Sequence, residues 1–321
     1  MSQKSINTIG VEFDARGIRA AAMSITSDGA DGDPPPASYS LRELEEVTGP
    51  FTKDEELVAG LKTIKEKMNI NGGDQVASCV SGKQVYVAQV PFKRLPASEM
   101  LGALKLEIRR NIPFEFSGAT VDYQVLSETD KKNENLQLLV TVVSHVLMTR
   151  HLHILGKAGL KPTIVDALPT AIGNAFHAGV APDADEGRPC LIVHTGPSVC
   201  SLVIERKGLP FFHRNIYFTA EELFGTVQDN SLAERERGRR LGILTEEIVR
   251  SISYYEKTYD VSAVQQCYRI GEYTDKAELT QAITEKAGLV GANLDLCAHF
   301  NAAQPQPAKF ALAISLAMRQ E

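Results

Sequence analysis

One pattern of short strands followed by a helix occurs twice in this sequence, once on either side of a polar linker. The first copy has a β-hairpin at residues 6–24 with a tight turn at 14–17, and a helix at 53–68. The second copy has a helix beginning near Thr219, preceded by three short strands predicted at 190–194, 198–205 and 209–217. A chain that repeats a mixed β/α unit in this way is predicted to fold into two related lobes.

The composition supports folded lobes and narrows the function. With 321 residues, 43% hydrophobic and 23% charged, the chain can bury a substantial core. Its formal net charge of -6 argues against nucleic-acid binding by the whole chain, since neutralising phosphates requires an excess of Lys and Arg. The N-terminal residues lack a signal-peptide pattern, and no stretch approaches about 18 consecutive apolar residues. The sequence therefore predicts a soluble, cytoplasmic protein.

The cysteines and histidines predict no metal or redox site. The five cysteines have no C-x-x-C spacing and lie in apolar segments, at Cys79, Cys190, Cys200, Cys267 and Cys297. We interpret them as buried thiols. His151 and His153 are two residues apart and so face different sides of a helix, while His194 is interpreted as a turn histidine.

Two polar segments and one capped helix organise the first half of the chain. Residues 27–39 are predicted to form an exposed loop, and the acidic linker 180–188 is predicted to separate the lobes. Thr52 and Glu55 have the spacing of a capping box for the helix at 53–68. The predicted inner stripe of that helix consists of Leu57, Leu61, Ile64 and Met68.

The segment 94–126 is predicted to form a helix, a proline stop and a strand. Pro96 suits the first helical turn, and Pro113 is predicted to end the helix. The predicted buried face of the helix consists of Leu101, Leu104 and Ile108. The predicted buried face of the strand consists of Val121, Tyr123 and Val125. Neighbouring strands are predicted at 76–80, 85–90 and 136–143.

A charged run and a strongly patterned helix follow in the second half. Residues 233–240 are predicted to be a solvated helix or loop, with binding of acidic lipid head groups or an acidic partner as the alternative. The helix at 244–259 is predicted to bury Ile248, Ile252 and Tyr255. The remaining predicted elements are strands at 163–167 and 266–270 and helices at 145–158, 276–287 and 308–318.

Three collinear pieces of the sequence resemble the type IV pilus assembly protein PilM family, actin-like relatives of the cell-division protein FtsA. The pieces are LPASEM…LEIRRNIPF…VDYQVL from Leu95, GLKPTIVD from Gly159 and LTEEIVRSISYY from Leu244. A duplicated β/α unit also suits the ribonuclease-H-like architecture of actin, sugar kinases and chaperone ATPases, an analogy of fold alone. The resemblance implies an α/β, actin-like (duplicated ribonuclease-H-like) fold of two lobes, with an inserted strand-helix-strand-strand subdomain.

The resemblance also implies a division of the chain. The first actin-like subdomain would comprise residues 1–84 and 161–183, the inserted subdomain 85–160, and the second lobe 188–321. The part of the second lobe around 218–243 would be reduced, because its charged segment is too short for the family's full insertion over nucleotide.

The family's role implies a binding function. Its members bind the short N-terminal tail of a single-span inner-membrane pilus protein, in a groove beside the inserted subdomain. The chain is therefore expected to be a cytoplasmic scaffold, peripheral at the inner membrane through a bitopic pilus or secretion partner. The residues expected to line the partner surface are Glu107, Arg109, Arg110, Pro113, Phe114, Asp122 and Tyr123.

The family's nucleotide motifs are degenerate in this chain. The first phosphate loop of the family resembles IGIDIGSSSIK, whereas residues 9–19 read IGVEFDARGIR, so that Asp14 replaces the second glycine. In the second loop His194 stands where the family has an acidic residue, and Pro197 removes a backbone donor. The degenerate nucleotide-binding positions are Gly10, Glu12, Arg19, Gly196, Ser198 and Gly271.

These departures predict a scaffold without enzymatic activity and with a vestigial cleft, for which no cofactor is expected. The alternative is an active actin-like ATPase or small-molecule kinase, which would use ATP and Mg²⁺ in the cleft. Self-association, up to a filament-forming protein, is a third alternative that the sequence leaves open.

Overall fold

The computed structural model describes residues 4–27, 38–127, 135–179, 187–206, 209–225, 231–259, 263–294, 296 and 308–319. Within these residues, thirteen strands form three sheets and eight α-helices pack around them. No helix in this described part of the chain combines the length and apolar character needed to cross a membrane.

The first sheet has five strands in the order β3-β2-β1-β4-β8. They are β1 (Lys4–Phe13), β2 (Gly17–Ser27), β3 (Ser38–Thr48), β4 (Gln75–Val80) and β8 (Pro162–Ala167). The first three pair antiparallel, whereas β4 and β8 run parallel to β1. Two helices, α1 (Asp54–Lys67) and α3 (His145–Lys157), cover one face of this sheet with apolar side chains. The predicted hairpin and helices are confirmed.

The second sheet repeats the arrangement of the first, in the order β11-β10-β9-β12-β13. Its strands are β9 (Cys190–Thr195), β10 (Cys200–Arg206), β11 (Leu209–Ile216), β12 (Gln266–Gly271) and β13 (Val290–Asn293). Three strands again pair antiparallel and two parallel. The helices on this side are α5 (Ala220–Phe224), α6 (Ser231–Tyr259) and α7 (Ala277–Gln281), which continues as a π-helical turn, Ala282–Lys286. The predicted duplicated fold is confirmed.

A three-stranded sheet lies between the two copies in the sequence. Its strands, in the order β5-β7-β6, are β5 (Val85–Lys93), β7 (Asn135–Val143) and β6 (Thr120–Ser127). Helix α2 (Ala97–Ile108) covers one face of it. The strand-helix-strand-strand order is the predicted one, and the predicted subdomain boundaries stay predictions.

The largest core cluster joins both five-stranded sheets. It contains α4 (Leu168–Gly179) and α8 (Ala311–Ala317), which a 3₁₀ turn at Ala308–Phe310 precedes. Side chains from both sheets pack against these helices, for example Met23 of β2 and Ile192 of β9. The two halves of the duplicated fold therefore share one apolar interior.

Several local predictions are wrong by a residue or a turn. Glu56, and not Glu55, caps α1, because its carboxylate accepts hydrogen bonds from the backbone N–H groups of Thr52 (2.6 Å) and Lys53 (3.3 Å). The buried face of α2 is formed by Met100, Leu104 and Ile108, whereas Leu101, which was predicted to be buried, is 39% exposed. This helix also ends at Ile108, well before Pro113. On β6, Val125 is 42% exposed.

The charged run at 233–240 belongs to a single helix of 29 residues, α6, which begins well before the predicted start at 244. Three arginines of the run, Arg237, Arg239 and Arg240, pair with acidic neighbours. Arg239 pairs with Glu236 (2.7 Å), and Arg240 with Glu222 (3.4 Å) and Glu236 (3.2 Å). Residues 233–240 are therefore helical, which is one of the two predicted conformations. The predicted buried face of α6, formed by Ile248, Ile252 and Tyr255, is confirmed as well.

Three of the five cysteines, Cys190, Cys200 and Cys267, are buried as predicted, and Cys79 is half-buried. Cys297 lies outside the described residues, as do most of the predicted exposed loop 27–39 and most of the acidic linker 180–188.

Candidate functional site

The turn between β1 and β2, which the resemblance identifies as the first phosphate loop, is capped by its own side chain. Asp14 Oδ1 accepts hydrogen bonds from the backbone N–H groups of Arg16 (2.7 Å) and Gly17 (3.2 Å). An Asp side chain that caps a turn in this way uses donors that a phosphate would otherwise need. Asp14, which replaces the family's second glycine, therefore occupies the N–H groups of the loop with its own carboxylate.

Gly10 has a packing role in the structure. A β-carbon at this position would collide with the backbone of Ala313 and Ala317 in α8. The absence of a side chain therefore lets α8 lie directly against β1. Gly10 itself lies within β1, ahead of the turn.

Arg19 on β2 is the centre of an ion cluster in the cleft between the two five-stranded sheets. Its side chain is only 6% exposed and pairs with Glu12 (Nη1–Oε1 3.7 Å), with Glu46 (Nε–Oε1 3.0 Å) and, through Nη2, with Glu272. Lys309, just ahead of α8, pairs with Glu46. We call these five residues the cleft cluster. The cluster links the first sheet to Glu272, which follows β12 of the second sheet.

Burial determines the protonation of two groups in the cleft. Loss of solvation raises the pKa of Glu12 to about 7, although the attraction of Arg19 opposes this change. Burial, together with the positive charge of Arg19, lowers the pKa of His194 to about 3. The imidazole is therefore neutral at pH 7 and supplies no positive charge to an anionic ligand. Among the described residues, no three His, Cys, Asp or Glu side chains lie close enough together to hold a metal ion.

The turn between β9 and β10, the counterpart of the second phosphate loop, is also closed. The N–H of Gly196 donates to the carbonyl oxygen of Val199 (3.1 Å), and Pro197 has no N–H to offer. Ser198 and Asp14 border the space between the two turns, which has a volume of about 40 Å³. That space is close to the volume of a single water molecule and far smaller than a triphosphate.

A larger cavity of about 700 Å³ opens beside the cleft cluster. Gly271 and Tyr273 line it, and both have left-handed backbone conformations with φ of 98° and 54°. The hydroxyl of Tyr273 donates a hydrogen bond to Glu221, another lining residue. The cavity is large enough for a small molecule, but two of its cations, Arg19 and Lys309, are already paired with carboxylates.

A second depression, which we call the groove, lies on the face of the three-stranded sheet that α2 leaves uncovered. Its volume is about 250 Å³. Strands β6 and β7 form one side, and β8, α4 and the start of β11 form the other. Its apolar lining consists of Leu139, Val143, Met148, Val165 and Leu209.

Alternation along β7 separates the two faces of the three-stranded sheet. Leu138 and Val140 pack beneath α2, whereas Leu139 and Thr141 line the groove. Both β6 and β8 are the last strand of their sheet. Each therefore has one row of backbone N–H and C=O groups that no strand of the described structure pairs. The groove is thus bordered by two edge strands.

The charged groups in the groove differ in their partners. Asp166 on β8 is 11% exposed and bonds to Arg319 (Nε–Oδ2 3.1 Å) and to the side-chain amide of Asn174 (3.3 Å). Burial raises the pKa of Asp166, against the opposing effect of Arg319. Asp122 on β6 is exposed, and its Oδ1 accepts a hydrogen bond from the N–H of the adjacent Tyr123 (2.8 Å).

The structure divides the predicted partner residues between two surfaces. Asp122 lines the groove with its side chain, whereas Tyr123 borders the groove but packs against the core cluster beneath α2. The others lie across the three-stranded sheet, at the end of α2 and in the loop after it, and they are Glu107, Arg109, Arg110, Pro113 and Phe114.

Sequence reasoning missed several residues of the two sites. They are Glu46, Glu272 and Lys309 in the cleft cluster and Thr141, Asp166 and Arg319 in the groove. Asp166 had a signal, because it ends the piece GLKPTIVD in the resemblance to the family, and so did Glu272, which directly follows the degenerate position Gly271.

Comparisons with known proteins agree with the fold. A family model described as Type IV pilus assembly protein PilM matches residues 12–238, well over half of the chain. A solved PilM-PilN type IV pilus biogenesis complex contains a chain that is 19% identical, with 97% of each chain covered and a TM-score of 0.77. A search of curated proteins finds no match.

More distant structural likenesses are also found. The cytoplasmic domain of EpsL, an inner membrane component of the type II secretion system of Vibrio cholerae, is 9% identical over 98% of this chain and 96% of its own, with a TM-score of 0.50. A Bacteroides thetaiotaomicron protein with an actin-like ATPase fold is 11% identical over 96% of this chain and 95% of its own, with a TM-score of 0.48. With its duplicated sheets, its actin-like fold and the match over residues 12–238, the chain belongs to the family of the type IV pilus assembly protein PilM.

Proposed function

We propose that this chain is a scaffold of a type IV pilus or related secretion assembly, and that the groove binds the cytoplasmic tail of an inner-membrane partner. The observation that carries the proposal is the groove itself, a depression with both apolar and polar lining that is bordered by the edge strands β6 and β8. Edge strands bind extended peptides through backbone hydrogen bonds, while neighbouring pockets take alternate side chains. The likeness to a chain of a PilM-PilN complex supports the same choice of partner.

The proposal includes a vestigial nucleotide cleft. It is supported by Asp14, which caps its own turn, and by the space of about 40 Å³ between the two turns. It is further supported by Arg19, on β2 just after the first turn, which three carboxylates already surround. Placing a triphosphate there would require breaking these contacts and burying additional negative charge.

The proposal also includes the division of the chain implied by the family. The inserted subdomain, residues 85–160, would provide β6 and β7 of the groove, and the first actin-like subdomain would provide β8 and α4. Through its partner's tail the protein would be held at the cytoplasmic side of the inner membrane.

Calorimetric titration tests the scaffold proposal. The probe is a synthetic peptide, hereafter the tail peptide, containing all residues that precede the membrane span of the single-span protein encoded beside this chain. We expect saturable binding of the tail peptide with one site per chain, and none of a peptide with the same composition in scrambled order. Absence of binding to a folded sample, checked by circular dichroism, would reject the proposal.

The alternative function, an actin-like ATPase or small-molecule kinase, is favoured by one observation, the cavity of about 700 Å³ beside Gly271 and Tyr273. Thermal melting with and without millimolar Mg-ATP separates the two. Under the scaffold proposal the melting temperature is unchanged, because a ligand that does not bind the native state cannot stabilise it. A shift that depends on ATP concentration, with turnover of phosphate, would favour the enzyme.

A further inference from the structure

Resting on the proposed tail-binding function, we infer that the groove recognises a basic residue of the tail and that the carboxylate of Asp122 is its ionic partner. The inference concerns the chemistry of the partner, an aliphatic segment that carries a Lys or Arg, and the position in the groove where that cation lies.

Three charged side chains line the groove, and two of them are paired with each other. Asp166 and Arg319 form an ion pair, and Asn174 donates a further hydrogen bond to Asp166. Their charges cancel locally. Asp122 has no ion pair among the described residues, and its one hydrogen bond comes from the backbone of Tyr123. The groove therefore presents one net negative charge, at the β6 side.

The position of Asp122 would allow one peptide to bind through a basic side chain and through its aliphatic side chains at the same time. Asp122 lies opposite Thr141 in the β6–β7 register, and Gln124 lies opposite Leu139. The carboxylate therefore lies on the β6 side of the groove, whose lining also includes Leu139 and Val165. An extended segment in the groove would place alternate side chains against the apolar and the polar lining.

A general rule for membrane proteins predicts that the partner's tail carries the complementary positive charge. Cytoplasmic segments next to a membrane span carry an excess of Lys and Arg. The chain itself has a formal net charge of -6, which attracts such a segment over a distance. A neutral tail would gain nothing from Asp122, and an acidic tail would be repelled by the net charge of the chain.

Charge variants of both partners test the inference. Asp122→Asn is expected to weaken binding of the tail peptide about threefold, the size of one partly solvated ion pair, and Asp122→Lys to weaken it at least tenfold. Each Lys or Arg of the tail peptide is replaced in turn by Glu. One of these replacements is expected to restore the affinity of Asp122→Lys while weakening binding to the wild-type chain.

The matched control is Glu99→Lys, which makes the same charge reversal on α2, across the sheet from the groove. It is expected to change the affinity by less than twofold at about 0.15 M salt, where distant surface charges are screened. If the wild-type chain binds the tail peptide but Asp122→Lys binds it equally well, or no peptide variant restores binding, the inference is overturned and the proposed function stands. If the wild-type chain does not bind at all, the proposed function itself fails.

Discussion

The cleft and the groove differ in how completely the protein satisfies their charged groups. In the cleft cluster, Arg19 and Lys309 are bonded to carboxylates of the same chain, and Asp14 occupies the N–H groups of its own turn. In the groove, Asp122 has no ion-pair partner in the described structure, and two edge strands border the space. The larger cavity, about 700 Å³ against 250 Å³, is thus the one whose cations are already paired, and the proposed function places binding at the smaller one.

The largest effect is expected from removing Arg19, the central cation of the cleft cluster, and this variant tests whether the charges of the cleft are in fact satisfied. Arg19→Met leaves Glu12, Glu46 and Glu272 without their shared partner. Breaking a buried ion pair on one side costs about 3–5 kcal/mol, and we expect about 3 kcal/mol here because Glu46 and Glu272 are partly exposed. Urea unfolding measures the loss.

The control for Arg19→Met is Arg250→Met on α6. Arg250 is 63% exposed and pairs with Glu246 and Glu247, so its replacement should cost less than about 1 kcal/mol. If the free energy of unfolding falls by the same small amount in both variants, the cleft cluster does not hold the two halves together. The contrast with the groove then disappears.

The second test uses pH. The folded pKa of Glu12 is about 7, above its value in the unfolded chain, so the native state keeps a proton that the unfolded state has lost. Stability therefore falls as pH rises from about 4.5 to 7, and the loss is complete above pH 7. Glu12→Gln cannot titrate. Its free energy of unfolding should rise relative to wild type by on the order of 3 kcal/mol over this range, because each pKa unit corresponds to about 1.4 kcal/mol.

Glu66→Gln, a replacement of an exposed carboxylate on α1, is the control for the pH series. Its difference from wild type should not vary across the same range. A wild-type profile that runs parallel to that of Glu12→Gln would show that Glu12 is solvated, and that the cleft is more open than its contacts indicate.

The third and smallest expected effect concerns the groove. Thr141→Tyr adds a ring on the groove side of β7, and we expect it to weaken binding of the tail peptide at least tenfold, about 1.4 kcal/mol, by filling the space. Leu106→Tyr adds a ring on α2, where Leu106 is 76% exposed, and should leave the affinity unchanged. Equal affinities of both variants for the tail peptide would show that the peptide binds outside the groove.

The fold was predictable where local patterns are strong. The alternation in β1 and β2 and the stripe from Leu57 to Met68 specify their elements without help from distant residues. On α2, Met100 and Leu101 are both apolar and adjacent, so the sequence alone could not decide which one faces the sheet. Tertiary packing selects Met100. The short β13, which is largely exposed, gives no pattern of burial to detect.

The sites were less predictable because their residues meet only in three dimensions. Arg19 and Glu272 are 253 positions apart, and Asp166 and Arg319 are 153 apart. No spacing rule connects such residues. The loss of the family's glycine at Asp14 was visible in the sequence, but the hydrogen bonds that Asp14 makes to its own turn required the structure.

Helix α8 limits how the two halves can move. All seven of its residues are buried, six of them in the core cluster that both five-stranded sheets share, and its backbone lies against β1 at Gly10. A hinge motion between the halves would have to pull this helix away from one of them, exposing apolar surface at about 25 cal/mol per Å². Clamping around a ligand by rotation of the halves is therefore costly in this chain. For the proposed tail binding, the side of the groove formed by α4 and Arg319 is therefore held in place by the shared core.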